Sequence, residues 1–317
     1  RTRQIDSCKR VTGTPPRMNP HHAHQGSLAK ALPLIVVLSV VWGTNWALFP
    51  LAVREISVWT FRAICLFGSG AFLLLIARAR GISLHVPPQH RLSLGSAALA
   101  YLVVWNVGST YAAILIPSGQ AAILGFTMPV WTTLFSWLLL GEKPSKQLIF
   151  SVFLAAAGVA FLVIAARQTY ASAPLGFFLG IAAGIGWACG TLILKRAAVS
   201  VPVIVSTGWQ LLTAGVPLLI AAVVLGSREL FVPSLTTLVV IGYITIVPMA
   251  LGNIAWFSIA DMMPATVSGL SIVMVPMVAM VSGAVINGEP LGVFEIGAML
   301  CCGTSLLLVL LKPNRPT

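Results

Sequence analysis

Ten stretches of this chain, each close to the length needed to cross a bilayer, are strongly apolar and follow one another with short polar breaks. They run Leu34–Val53, Val58–Ala77, Leu94–Ala113, Ser118–Leu140, Leu148–Ala166, Leu175–Leu194, Pro202–Leu225, Leu235–Phe257, Ala265–Asn287 and Gly292–Leu311. About 20 helical residues span the hydrocarbon core of a membrane. In that medium no water can satisfy a bare peptide group, so a helix, which closes its own hydrogen bonds, is the structure such a run must take. The runs therefore predict an all-α membrane protein of ten transmembrane helices. Composition agrees: 58% of residues are hydrophobic and 8% charged. A water-soluble domain carries roughly 25% charged residues. The connections leave no room for a soluble domain, and the longest of them is Arg78 to Arg91.

A net charge of +12 raises the question of nucleic acid, but the basic residues are spread in the wrong way for it. Six of the nineteen Lys and Arg fall in the first thirty residues, and most of the rest lie between apolar runs. A nucleic-acid surface needs them clustered on one folded face. With the N-terminus in the cytoplasm, the inner segments hold Lys30, Arg78, Arg80, Arg91, Lys143, Lys146, Lys195, Arg196, Lys312 and Arg315. The outer segments hold Arg54, Arg167 and Arg228. That is a positive-inside pattern, which places both termini in the cytoplasm and suits a bacterial-type inner membrane. Residues 1–33 read as a polar, disordered tail. Met18 is a candidate natural start within it, which would make residues 1–17 an upstream extension. The patch His21, His22 and His24 fits a metal site less well than it fits that tail. The first apolar run is too long for a signal-peptide core and lacks a small-residue cleavage site, so it is expected to stay as a helix. Cys65, Cys189, Cys301 and Cys302 lie within apolar spans and read as small hydrophobes, not as a disulfide framework.

The chain also repeats itself. A shift of 147 residues carries Asn106 onto Asn253, Ala113 onto Ala260, Pro117 onto Pro264, Pro129 onto Pro276, Gly141 onto Gly288 and Glu142 onto Glu289. Trp42 falls near Trp187 with a slightly different offset. These are special residues at matching helix positions, which marks a duplicated unit. The halves are residues 34–166 and 175–311, joined by 167–174. Each holds five spans, an odd number, so the second enters the membrane upside down relative to the first. Inverted repeats are a common basis for alternating access around a midplane site.

Two five-helix halves, each with a Trp in its first helix and a G-E-x-P-like end to its fourth (Gly141-Glu142-Lys143-Pro144 and Gly288-Glu289-Pro290), resemble the drug/metabolite transporter superfamily. More narrowly the chain is similar to its EamA-type exporters, and among their branches the YddG-like amino-acid exporters are the preferred match. The resemblance covers Leu34 to Leu311. It implies a secondary transporter and is poor for substrate, since the superfamily handles amino acids, nucleotide sugars and many other metabolites.

Trp42, Asn45, Trp46 and Phe49 recur at three- and four-residue intervals and share one face of the first helix near mid-span. The interfacial aromatic belt cannot account for tryptophans at that depth. Tyr101, Trp105 and Asn106 in the third helix, Trp187 in the sixth, Gln210 in the seventh and Asn253 in the eighth extend the pattern. A substrate cavity walled by aromatics with a few amide hooks is one reading. Helix-to-helix glue is the other, and for Asn106 and Asn253 individually the structural reading is preferred. Trp59, Trp137 and Trp256 lie near helix ends, where the belt suffices, while Trp131 faces lipid or the cavity. With an offset of 148, Phe61 and Arg62 fall on Trp209 and Gln210, and Arg62 is the one basic residue inside a span. It either anchors to the outer interface or to a helix C-terminus, the preferred reading, or binds a substrate carboxylate. Pro129 and Pro276 each free a carbonyl four residues back and act as gating hinges or static kinks. Gly125, Gly184, Gly186 and Gly190 suit close helix packing.

No span holds a histidine or a central carboxylate: Glu55 and Glu295 sit near outer ends and Asp261 in an inner turn. Membrane-depth proton coupling and intramembrane catalysis both want such groups. No phosphate-cradling G-x-x-x-x-G-K-[ST] is present for ATP. The reading is therefore a carrier without enzyme activity, cofactor or metal. Its partners are a small-molecule substrate and the lipid bilayer, with no nucleic acid. A wall of Trp, Tyr and Asn suits a neutral or zwitterionic compound with an apolar part, such as an amino acid. Drugs or other neutral metabolites are the alternative, and a channel fits less well.

Overall fold

The computed structural model describes residues 20–141, 146–165, 167–226, 233–256 and 265–310. They form helices, with no strand among the described residues. In chain order these are α1 (Pro20–Ala52), α2 (Val58–Ala79), α3 (Pro88–Ala97), α4 (Val104–Leu115), α5 (Ser118–Gly125), α6 (Met128–Leu140) and α7 (Lys146–Ala165). They continue with α8 (Arg167–Ser172), α9 (Pro174–Ala197), α10 (Val203–Leu225), α11 (Leu235–Ile244), α12 (Ala265–Asn287) and α13 (Val293–Leu310). Among the described residues, seven helical stretches are long and apolar enough to cross a membrane, and three shorter apolar helices cover Ile149–Ala165, Met274–Asn287 and Val293–Ser305.

The surface carries large apolar side chains, among them Phe153 at 69% exposure and Val223 at 70%. An apolar exterior of this kind is stable only against lipid. The interior holds the small and aromatic residues, with Trp46, Phe49, Phe61, Leu124 and Leu162 in one buried cluster. Helices from the two halves approach closely where side chains vanish. On α2 and α10, a methyl group on Gly70 would lie 3.0 Å from the Gly208 carbonyl oxygen. Between α7 and α13, Ser305 Oγ donates to the Ser151 carbonyl at 2.6 Å and Gln147 Nε2 to that of Leu308 at 2.8 Å.

The helix ends follow local chemistry. Ser57 caps α2 by accepting from the Thr60 N–H at 3.1 Å, and Ser234 caps α11 by accepting from Thr237 at 3.3 Å. Gly141 and Gly288 end α6 and α12 with φ of 70° and 67°, a left-handed turn that costs glycine nothing. Three observed boundaries differ from the sequence reading. The first helix begins at Pro20, so residues 20–33, read as a disordered tail, are helical. Residues 1–19 lie outside the described residues, as do the side chains of the histidine patch. Within 167–174, read as a plain loop, α8 forms a short helix.

The third difference concerns the fourth span. It is not one helix with a kink: α5 ends at Gly125, Phe126 and Thr127 turn, and α6 starts afresh at Met128. Pro129 thus sits in the first turn of α6, where its missing N–H is no loss. Pro276 lies inside the unbroken α12. The two prolines match in sequence and differ in what they do to the chain.

Among the described residues, two π-helical turns interrupt the bundle, at Ala98–Val103 between α3 and α4 and at Thr245–Leu251 after α11. Their starts are separated by 245 − 98 = 147 residues, the same shift that aligns the repeated prolines and asparagines. Local π-turns cluster at functional sites because the extra residue re-aims side chains.

Candidate functional site

The first π-turn carries Tyr101, and the helix continuing from it carries Trp105 and Asn106. Tyr101 meets the Trp187 ring of α9 edge-on with centroids 5.2 Å apart, and Trp105 meets Trp187 at 4.8 Å. Trp105 also packs edge-on against Trp46 of α1 at 5.8 Å and against Phe126 at 5.9 Å. Trp46, itself buried, touches Phe126 at 6.2 Å and Phe49 at 5.6 Å. Trp46, Tyr101, Trp105 and Trp187 thus come together in one aromatic column, and in this conformation the rings lie against one another. Edge-to-face contacts of this kind each contribute roughly 0.5–1.5 kcal/mol beyond area burial. Gly184 lets α9 reach the column. A methyl group there would lie 2.9 Å from the Gly125 carbonyl oxygen and 3.1 Å from Thr127 Oγ1, at the break between α5 and α6. Beside that break is a cavity of about 10 Å³, room for one water, bounded by Phe126, Thr127, Val130, Pro276, Cys302 and Ser305 among others.

Trp42 stands apart from the column. Its Nε1 donates to the Pro248 carbonyl in the second π-turn at 2.9 Å, and its ring lies 6.0 Å from Trp256. The arrangement mirrors the first half. Trp42 of the first helix meets the π-turn of the second half, and Trp187 of the second half meets the π-turn of the first.

The amides divide by what their atoms find. Asn106 Nδ2 donates to the Leu102 carbonyl at 2.8 Å, and Asn253 Nδ2 makes the equivalent bond to Met249. Each asparagine thus satisfies a carbonyl of its own π-turn. Gln210 Nε2 donates to the Ser206 carbonyl at 3.1 Å, while its buried Oε1 has no partner among the described residues. Asn45 Oδ1 is likewise buried and bare. A buried acceptor without a donor costs about 1–3 kcal/mol.

Arg62 corrects the sequence reading. It does not reach outward to the interface: its side chain is 2% exposed. The guanidinium carbon lies 4.1 Å from the Phe49 ring centre and 4.7 Å from that of Phe61, and Nε donates to Thr110 Oγ1 at 2.5 Å. Two phenylalanine rings attract the cation there, each contact contributing roughly 0.5–2 kcal/mol. They do not remove the burial cost, at least ~2.5 kcal/mol for an arginine at the centre of a span.

Glu289 is a functional candidate that sequence reasoning did not place. Oε1 accepts from the Ser118 N–H at 2.8 Å and the Ser118 hydroxyl at 2.6 Å, and Oε2 accepts from the Gly119 N–H at 3.0 Å. The carboxylate therefore caps α5 from another helix turn, which satisfies the N-terminal donors and favours the helix dipole. The available signal was negative: α5 follows Pro117 and has neither a side-chain cap nor an acid in its first turn. The matching Glu142–Pro144 turn, Asp261 and Pro264 lie outside the described residues.

Comparison with known proteins extends this picture. The model of the EamA-like transporter family matches the chain over residues 29–164 and again over 174–311. The uncharacterised transporter YvbV of Bacillus subtilis (strain 168) is 27% identical over 282 residues, covering 87% of this chain and 90% of that protein. The uncharacterised inner membrane transporter YedA of Escherichia coli (strain K12) is 28% identical over 273 residues, covering 83% and 86%. A probable amino-acid metabolite efflux pump of the same Escherichia coli strain is 26% identical over 282 residues, covering 85% and 90%. One crystal structure superposes with a TM-score of 0.64 at 17% identity, covering 88% of this chain and 96% of its own, a likeness of fold alone. The family comprises transporters and not enzymes. This all-helical, multi-pass membrane protein belongs to the EamA-like transporter family, within the drug/metabolite transporter superfamily.

Proposed function

We propose that the chain is a secondary carrier that exports small neutral metabolites, foremost amino acids, from the cytoplasm by alternating access. Ten spans form two inverted five-helix halves, residues 34–166 and 175–311, with both termini cytoplasmic. The observation that carries the reading is the aromatic column of Trp46, Trp105, Trp187 and Tyr101, built from both halves. Flat, polarisable faces suit an apolar or aromatic body, and the bare acceptors of Asn45 and Gln210 suit an ammonium or amide donor. The equal spacing of the π-turns and the crossed contacts of Trp42 and Trp187 support two halves of one plan. The relative named as a probable amino-acid metabolite efflux pump supports the substrate class. Pro129 and Pro276 serve as the places where each half bends.

The test is a liposome panel. Purified protein in liposomes moves labelled amino acids down their gradients, and Trp105→Ala slows this at least about tenfold, the loss expected when ~1.4 kcal/mol of ring contact is removed. Liposomes no leakier than empty ones across the panel, with drugs moved instead, would favour the multidrug alternative. Cysteines introduced singly at Lys143 and Glu289 should label from opposite sides of the membrane, and labelling from the same side removes the inverted halves.

A further inference from the structure

We infer that Arg62 is the binding point for a carboxylate on the substrate. The inference deepens the carrier reading by naming the group that a substrate must bear, and it rests on that reading for transport but not for binding. The side chain is 2% exposed and lies within a span, yet only part of its hydrogen-bonding capacity is used. Nε is taken by Thr110 Oγ1, while Nη2 is buried and meets no acceptor among the described residues. The ionisable side chain that bears on it is the thiol of Cys65, and no carboxylate is found beside it among the described residues. Guanidinium presents five donors in a rigid planar fork and can shed none of its charge. The centres of the Phe49 and Phe61 rings lie 4.1 and 4.7 Å from its central carbon, and these apolar neighbours offer Nη2 no acceptor oxygen. A purely structural arginine at this depth would be expected to spend its terminal nitrogens on backbone carbonyls or an acid. Here a donor is left for a group that arrives from outside the chain.

The neighbouring rings say what that group is attached to. The Phe49 ring beside the guanidinium meets Trp46, Trp46 meets Trp105, Trp105 meets Trp187 and Trp187 meets Tyr101, an aromatic run from the charge to the first π-turn. A molecule whose acid oxygen accepts from Nη2 would lay its apolar body along these rings once the helices part. With an offset of 148, one more than the main repeat shift, Arg62 falls on Gln210, whose bare Oε1 is an acceptor, so the pair offers opposite polarities to a zwitterion.

The test pairs acids with their amides. Phenylalanine, leucine and indole-3-acetate, each with its primary amide, and inorganic phosphate are titrated by calorimetry into detergent-purified wild-type protein and Arg62→Gln. The same acids are then offered to proteoliposomes. The expected result is that at least one acid binds wild-type protein at least about tenfold tighter than its amide, the scale of one charge-assisted hydrogen bond. In Arg62→Gln that ratio falls to near one. If the variant does not purify as a monodisperse species, the acid-to-amide ratio of the wild type decides alone. Acid and amide binding alike, a preference untouched in folded Arg62→Gln, no acid of the panel binding, or phosphate alone binding through Arg62 would each overturn the assignment. Selective binding without transport would leave Arg62 as a carboxylate site and remove the carrier reading. Transport without acid selectivity would do the reverse.

Discussion

Removing the carboxylate of Glu289 should loosen the end of the bundle where α5 begins. Its two oxygens accept three hydrogen bonds from Ser118 and Gly119, and Asn287 Nδ2 adds a fourth at 3.2 Å. The same Asn287 amide also donates to the Ala47 carbonyl of α1 at 3.1 Å, so one small polar cluster ties together α1, α5 and the α12–α13 turn. A hydrogen bond to a charged acceptor contributes about 1.5–3 kcal/mol. These four share one half-exposed carboxylate and do not add, and water can replace part of what is lost. In Glu289→Ala the first-turn donors of α5 lose their acceptor, for a net cost of about 2–3 kcal/mol. Glu289→Gln keeps one acceptor oxygen and loses the charge, for about 1 kcal/mol. At roughly 2–4 °C per kcal/mol for chains of this size or slightly smaller, the alanine variant should melt about 4–12 °C below wild type and the glutamine variant about 2–4 °C below. The assay is a thermal melt in one detergent, followed by circular dichroism and by the monodisperse peak on gel filtration. Alanine and glutamine variants that melt together with wild type would refute the reasoning, because the cap would then be replaced by water at no cost.

Two further outcomes follow from single contacts. Asn106→Leu removes the donor that holds the Leu102 carbonyl inside the first π-turn, and Asn253→Leu does the same at Met249; each should lower the melting point by the equivalent of about 1–2 kcal/mol, and a variant as stable as wild type would show that the amide is not part of the turn. Glu55 lies outside the spans, and the Ser234 hydroxyl and N–H hold its carboxyl below its ordinary value of 4.5. A depressed carboxyl contributes stability above that value and loses it as pH falls through the lowered one. Wild type should therefore lose stability below pH 4.5 more steeply than Glu55→Gln, and superimposable acid melts would remove this contact from the account.

Much of the molecule is legible in its sequence because lipid is a severe solvent. Val58–Ala77, Leu175–Leu194, Pro202–Leu225 and Ala265–Asn287 can be read to within a few residues, since an apolar run with no other way to satisfy its backbone must be helical. The turns at Gly141 and Gly288 could be read because a left-handed end selects glycine. What could not be read depends on groups distant in the chain. Arg62 lies near the start of α2, a position from which an arginine can usually reach the interface. That it turns inward depends on Phe49 and Thr110, which no local pattern places beside it. Trp42 and Trp46 share a helix face in the sequence, yet one meets Pro248 and the other Trp105, because different helices cover the two ends of that face.

The prolines take the argument one step further. Pro129 and Pro276 occupy one position of a duplicated unit, and the backbone around the first is broken while that around the second is continuous. A residue that lacks a backbone donor permits both outcomes and dictates neither, so the difference must come from packing. On the broken side, α9 presses its Gly184 against the Gly125 carbonyl, and Thr127 Oγ1 caps the turn by donating to Leu124 at 2.6 Å. If the two halves exchange shapes as a carrier requires, each proline is the place where a helix can be either continuous or divided at low cost. The present conformation then holds one half in each state. On that view the small cavity between Phe126, Thr127 and Pro276 is slack left where the two states meet. A side chain that fills it should slow exchange more than it weakens substrate binding.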